Sequence, residues 1–197
     1  MSRRFLTHTI YEESEKQMQK IPGFDRIKLH NKFLRKYHCM LRSVIEKYEL
    51  QSVLNRMEDI LLAREYKNVL FKDSEHKSRF LQYCRAVKQE NWAIGSNKKY
   101  LAIIYLLSSE EYFWKDFGKM LHPEWIDLTV FQLRNVKEEL YNIYQAARYL
   151  EADTLLAELQ DWTEPGVIRD NVLLLIMNAL IAREYGIGAF TLRIKEI

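Results

Sequence analysis

Residues 167–185 read VIRDNVLLLIMNALIAREY, a long and strongly apolar stretch of the 197-residue chain. It follows Pro165-Gly166 and ends before Gly186, and a glycine at this position is typical of a helix C-cap. Apolar residues lie on nearly every side of the helix that this segment would form, which is typical of a helix buried inside a globular domain. We therefore predict that residues 167–185 form the core helix of an all-α protein.

Shorter segments with helical spacing supply the partners of this core helix. Residues 100–107 and 136–150 carry apolar side chains three and four positions apart, so we expect both to pack against it. Asp73 or Ser74 is a suitable N-cap for a further helix. Residues 126–131 alternate enough to permit a short strand. The prediction is one multi-helix globular domain with at most one short strand pair.

Composition favours the same fold class. Hydrophobic residues make up 48% of the chain and charged residues 29%, whereas six glycines and three prolines are few for a turn-rich β-protein. The first residues lack the apolar segment of a signal peptide, and no apolar run reaches the roughly 20 residues of a membrane span. We expect a cytoplasmic protein that does not contact membranes.

The N-terminal region is basic and predicted to be an arm, residues 1–70, that precedes a core domain, residues 71–197. Residues 16–47 contain nine basic and two acidic side chains. Four of the basic residues share one face of the helix predicted after Asp25. They are Lys28, Lys32, Arg35 and Arg42. Such a stripe can contact successive phosphates or an acidic protein surface, and it can equally be a solvated or internally paired face.

The C-terminal region is acidic. Residues 151–170 contain six carboxylates and a single basic residue, Arg169. The carboxylates are Glu151, Asp153, Glu158, Asp161, Glu164 and Asp170. We treat them as a candidate partner-binding patch, because carboxylates on an exposed helix and turn can occupy positions where a basic groove would bind phosphates. Pairing with the basic stripe inside the same molecule is the alternative.

The sequence contains no glycine-rich phosphate loop, HExxH motif, nucleophile elbow or zinc-spaced cysteine pair. We therefore predict a protein without catalytic residues, bound metal or cofactor. Cys39 and Cys84 are predicted to be buried, reduced thiols, and the histidines to be solvated or to cap helices. A metal-dependent enzyme built around His76 and His122, each beside a carboxylate-bearing residue, remains an alternative.

Residues 71–186 resemble a family of short uncharacterised proteins from Gram-positive gut bacteria and their phages and plasmids. The similarity lies in short sequence motifs and their spacing. They are Phe71-Lys72-Asp73 with His76, Arg79 and Phe80; Tyr100-Leu101-Ala102 and Tyr105-Leu106-Leu107-Ser108; Trp114; Tyr144-Gln145-Ala146-Ala147; Glu158-Leu159; and Tyr185-Gly186. These are mostly core and capping residues, so the resemblance implies a shared fold and carries over no catalytic residue.

The resemblance implies a setting on a mobile element, where short proteins often bind host machinery. The leading hypothesis is a non-enzymatic binding protein whose partner is a host protein or nucleoprotein, for example an inhibitor of a CRISPR nuclease. A helical protein that binds nucleic acid through the basic stripe is the first alternative. If neither charged region makes the contact, exposed aromatic residues such as Trp92 and Trp125 are the next candidates, and self-association also stays open.

Overall fold

The structure, a computed structural model, describes residues 32–65, 67–155 and 166–190. Within these ranges the chain forms eight α-helices and no strand. They are α1 (Lys32–Lys47), α2 (Gln51–Ala63), α3 (Ser74–Gln89), α4 (Lys98–Ser108), α5 (Glu111–Trp114), α6 (Phe117–Met120), α7 (Glu138–Glu151) and α8 (Asp170–Tyr185). Short 3-10 helices cover Ala93–Ser96, Leu128–Val130 and Gly186–Ala189. The predicted all-α fold class is confirmed.

Helix α8 is the centre of the fold. Every residue from Val172 to Ala182 is buried, and α8 packs most extensively against α4 and also against α1 and α7. By length and composition the segment Asp170–Ala189 is apolar enough to cross a membrane, but 72% of its most apolar window is buried inside the protein. This burial is what the sequence predicts for a core helix, and Gly186 caps it with a positive φ of 65°.

Helix α3 begins where its capping sequence predicts. The Asp73 carboxylate accepts a hydrogen bond from the backbone N–H of His76 over 2.7 Å, and the imidazole Nδ1 of His76 accepts one from the backbone N–H of Lys72 over 3.1 Å. This reciprocal arrangement resembles a capping box, in which two side chains satisfy free amides before the first turn. His76 therefore does cap a helix, as predicted for the histidines, but it is fully buried rather than solvated.

The described part of the predicted N-terminal arm belongs to the same hydrophobic core as the rest of the protein. Tyr37 and Leu41 of α1 and Met57 of α2 are buried in one cluster with α4 and α8. Described residues on both sides of residue 70 thus contribute to one hydrophobic cluster. Residues 1–31, where the arm and its helix were predicted to begin, lie outside the described residues.

The segment between α4 and α7 contains only short elements. Its aromatic residues lie in two helices of one turn each, α5 and α6, because Asp116 and Gly118 both disfavour a helix interior. The short strand that the sequence permits at 126–131 is not formed. This segment contains the 3-10 helix Leu128–Val130, which begins where the Asp127 carboxylate accepts the Thr129 N–H over 2.9 Å. Leu121 and Ile126 form an isolated antiparallel bridge.

The cysteines also differ from the prediction. Cys39 is exposed and Cys84 is half-buried, so neither is a fully buried core thiol. Cys39 lies on the outer side of α1, between the buried positions Tyr37 and Met40.

A candidate binding groove beside Trp92

The predicted basic stripe is only partly within the described residues. Lys28 lies outside them, and Lys32 is the first residue of α1. Arg35 and Arg42 are exposed on α1, and the Arg42 guanidinium donates to the Glu58 carboxylate of α2 over 3.1 Å. Part of the stripe is thus paired with a neighbouring helix, and this partner lies outside the acidic region 151–170.

The described members of the acidic patch are all paired within the molecule. Asp153 accepts hydrogen bonds from Arg183 over 2.7 Å and from Lys99 over 3.2 Å. Asp170 accepts one from Arg56 over 2.9 Å, and Glu151 lies 4.0 Å from Arg148. Glu158, Asp161 and Glu164 lie outside the described residues.

Asp153 also has a structural role at the end of α7. Its φ of 60° places it in the left-handed region, and the N–H of Thr154 returns to the carbonyl of Tyr149 over 2.9 Å. This is the hydrogen-bond pattern of a Schellman motif, which ends a helix. Asp153 therefore ends a helix and pairs with two cations, so its carboxylate is less available to a partner than the sequence suggests.

A groove runs along the C-terminal half of α3 and the 3-10 helix that follows it. It consists of two adjoining depressions of about 510 Å³ and about 170 Å³. Tyr83, Val87 and Trp92 form walls of both depressions. The larger depression continues to Leu101 of α4 and to Ile187 after α8, whereas the smaller one reaches the aromatic residues of α5 and α6. Four separate segments of the chain therefore build one site.

The end of α3 places Trp92 in this groove. Asn91 has a φ of 52°, in the left-handed region that asparagine adopts more readily than most residues. The N–H of Trp92 donates to the carbonyl of Val87 over 3.1 Å. This is again a Schellman motif, which brings the side chain after the left-handed residue back toward the last helical turn. Trp92 and Val87 therefore lie together in the wall of the groove.

The following turn fits closely against the same wall. A Cβ atom added to Gly95 would lie 2.3 Å from Cγ1 of Val87, which is too close for a non-bonded contact. The N–H of Ile94 donates to the carbonyl of Pro123 over 3.0 Å and joins this turn to the loop after α6. The position of Trp92 is thus fixed from both sides.

Aromatic rings extend the surface beyond Trp92. Trp114 and Phe117 stack with their ring centroids 4.0 Å apart, and Phe117 meets the Tyr83 ring edge-on at 5.8 Å. In the loop joined to Ile94, the His122 ring stacks on the exposed Trp125 ring at 4.1 Å. Trp and Tyr side chains are enriched among the residues that contribute most of the binding energy at protein interfaces.

The groove contains no activated nucleophile. Burial raises the pKa of the Cys84 thiol to about 12, so this thiol stays protonated and unreactive near neutral pH. Burial also raises the pKa of the Tyr83 hydroxyl above its ordinary value. That hydroxyl is buried and has no hydrogen-bond partner among the residues that the structure describes.

His76 and His122 make different contacts in the structure. Nε2 of His76 donates to the carbonyl of Tyr105 over 2.9 Å, while Nδ1 accepts from Lys72, so both ring nitrogens are engaged. His122 stacks on Trp125. Among the described residues, no group of three or more His, Cys, Asp and Glu side chains is arranged to hold a metal ion.

Sequence reasoning identified Trp92 and Trp125 as exposed aromatic candidates but did not identify the groove. The one local signal was the interruption of the helical pattern near Asn91, where a left-handed residue ends α3. The pairing of α3 with the segment after α8 is tertiary and has no counterpart in local sequence.

Comparisons of the chain with family models, with curated proteins and with solved structures find no match.

Proposed function

We propose that this protein is a non-enzymatic binding protein that holds a segment of another protein in the groove beside Trp92. The observation that carries the proposal is the position of Trp92, a half-buried aromatic residue shared by two adjoining apolar depressions. A fixed aromatic wall between two depressions can hold two neighbouring side chains of a partner with little loss of conformational entropy on binding.

The charged regions give weaker support for a binding surface. Arg42, Asp153 and Asp170 already have partners within the molecule, so a competing protein would have to replace these ion pairs. Exposed ion pairs of this kind contribute little to stability, about 0–1 kcal/mol each. The groove instead offers apolar surface that no described residue covers.

The narrower proposal concerns the identity of the partner. The resemblance to proteins of phages and plasmids supports a cytoplasmic host protein or nucleoprotein, such as a CRISPR nuclease, as the partner that is inhibited. This step depends on family resemblance alone, and the groove is proposed independently of it.

The test is affinity capture from a host lysate with the wild-type protein and two matched variants. We expect Trp92→Ala to lose the dominant partner, whereas Tyr141→Ala retains it. Tyr141 is an equally suitable aromatic control because it is 48% exposed on α7 and does not line the groove. Retention of the same partner by Trp92→Ala, with the fold intact by circular dichroism, would exclude the groove as the binding surface.

A further inference from the structure

The two depressions of the groove have opposite charge. Among the residues that the structure describes, the charged residues that line the larger depression are Lys88 and Lys98, without a carboxylate. In the same part of the chain, the smaller depression is lined by Glu90 and by no cation. A ligand that crosses both therefore meets a positive end and a negative end, which gives it a preferred direction.

The two lysines are available in different ways. Lys88 is exposed on the last turn of α3 and forms no ion pair in the described part of the chain. The Lys98 ammonium donates to the carbonyl of Glu184 over 2.8 Å, and its methylene groups lie against Gly186. An ammonium group has three donors, so Lys98 is held in place at the end of α8 and keeps donors for a ligand. Lys98 can therefore hold a negatively charged group of a ligand, and the exposed Lys88 side chain can then move toward the same group.

The larger depression also has a large apolar wall. Its wall includes Val87, Trp92, Leu101 and Ile187, and its volume of about 510 Å³ lies within the range of about 300–1,000 Å³ that is typical of ligand pockets. This space can hold one large apolar side chain together with the backbone next to it. The ring of Tyr83, whose side chain is buried, belongs to the same wall.

We infer that the larger depression binds an apolar side chain of a partner protein that is flanked by a carboxylate, with Lys88 and Lys98 contacting the carboxylate. The inference rests on the proposed function and adds the chemistry of the bound segment. A chain of phosphates fits the site less well, because Glu90 in the adjoining depression would repel it. An apolar residue at the C-terminus of the partner, followed directly by the C-terminal carboxylate, has the required chemistry.

The test uses N-acetyl-phenylalanine and N-acetyl-phenylalaninamide, which share an apolar body and differ in one negative charge. Both are titrated into the ¹⁵N-labelled full chain, and the Trp92 indole signal is assigned with a Trp92→Phe variant. We expect the acid to shift this signal and to bind about threefold more tightly than the amide, as expected for an exposed ion pair. Equal affinity of the two probes, or shifts confined to residues outside the groove, would overturn the inference.

Charge variants complete the test. Lys88→Gln is expected to remove the preference for the acid, whereas Lys115→Gln is expected to keep it, because Lys115 is exposed on the short turn after α5, pairs with Glu111 and does not line the groove. Tighter binding of an oligothymidylate to the same signals would also overturn the inference in favour of a nucleic-acid ligand.

The two proposals fail in distinguishable ways. If Trp92→Ala loses the captured partner but the two probes bind equally, the groove binds protein and the carboxylate assignment is wrong. If the acid is preferred but Trp92→Ala keeps its captured partner, the pocket chemistry is right and the proposed function of the groove is wrong.

Discussion

The Tyr37 hydroxyl donates a hydrogen bond to the side-chain oxygen of Asn178 over 2.8 Å, although the two residues are 141 positions apart in the chain. The amide nitrogen of the same Asn178 side chain donates to the carbonyl of Val69 over 2.7 Å. One buried polar residue in the core helix therefore connects α1 and the segment before α3 to α8. Each of these buried polar groups has a hydrogen-bond partner, as buried polar groups in folded proteins nearly always do.

The first prediction concerns this connection. Tyr37→Phe keeps the ring but leaves the Asn178 oxygen unpaired in the core, so we expect the free energy of unfolding to fall by about 1–3 kcal/mol. Tyr112→Phe is the control, because the Tyr112 hydroxyl donates to the Gln132 carbonyl at an exposed position. Urea denaturation of both variants measures the difference. Equal stability of the two variants would mean that the buried hydrogen bond contributes nothing.

The second prediction concerns the stability of the protein at acidic pH. Burial is the main cause that lowers the pKa of His76 from 6.5 to about 4. Between these values the unfolded chain binds a proton that the folded protein does not, so the free energy of unfolding falls as the pH decreases from about 6.5 to about 4. Protonation of Nδ1 would also remove the acceptor for the Lys72 N–H. The expected loss is about 2–4 kcal/mol, since one pKa unit corresponds to about 1.4 kcal/mol.

Chemical denaturation at a series of pH values measures this loss. His76→Gln keeps a polar side chain near the Tyr105 carbonyl and is expected to flatten the pH dependence, even where it lowers stability at pH 7. An NMR titration in which the His76 ring is protonated above pH 6 would contradict the prediction.

Local sequence patterns predicted those parts of the fold that depend on neighbouring residues. Asp73 starts α3 and Gly186 ends α8 because capping requires residues only a few positions apart. Residues 172–182 were predicted to be buried because apolar residues lie on nearly every side of this segment, which is also a local pattern. Packing of α1 into the common core was not predicted, because helical spacing reveals an apolar face with Tyr37 and Leu41 but not the elements that this face contacts.

The groove was less predictable than the fold. Trp92 is placed by a local motif around Asn91, but its depressions also need Leu101, Trp114 and Ile187 from three other segments. The charged residues chosen from sequence were selected for their clustering along the chain. Whether these charges are available to a partner depends on the ion pairs that they form in the folded protein. Asp153, for example, pairs with both Lys99 and Arg183.

The third prediction tests the close fit of the groove wall. Gly95→Ala would place a methyl group against Val87, so we expect it to lower stability by about 1–3 kcal/mol through overpacking. Gly118→Ala is the matched control, because a Cβ atom there meets nothing within 4 Å and alanine favours the α6 helix. Thermal denaturation compares the two variants. Partial recovery of stability in Gly95→Ala with Val87→Ala would locate the strain at this contact, and equal melting of both glycine variants would refute it.

The last prediction separates the groove from the basic stripe. The stripe residues Lys28, Lys32, Arg35 and Arg42 are replaced together by Gln. We expect this variant to capture the same protein partner as the wild type, because the groove is built from α3, α4, α6 and the segment after α8 rather than from α1. Trp92→Ala in the same assay should lose the partner.

A nucleic-acid function would give the opposite pattern in a salt titration. Each phosphate contact with duplex DNA adds about 0.9 to the slope of log affinity against log salt concentration, so a stripe that binds phosphates would lose both affinity and slope when its four cations are removed. The Arg42 guanidinium already pairs with Glu58, so Glu58→Gln should then increase affinity for DNA by releasing it. If the stripe variant loses its ligand while Trp92→Ala keeps it, and Glu58→Gln strengthens binding, the basic face of α1 is the functional surface and the groove is not.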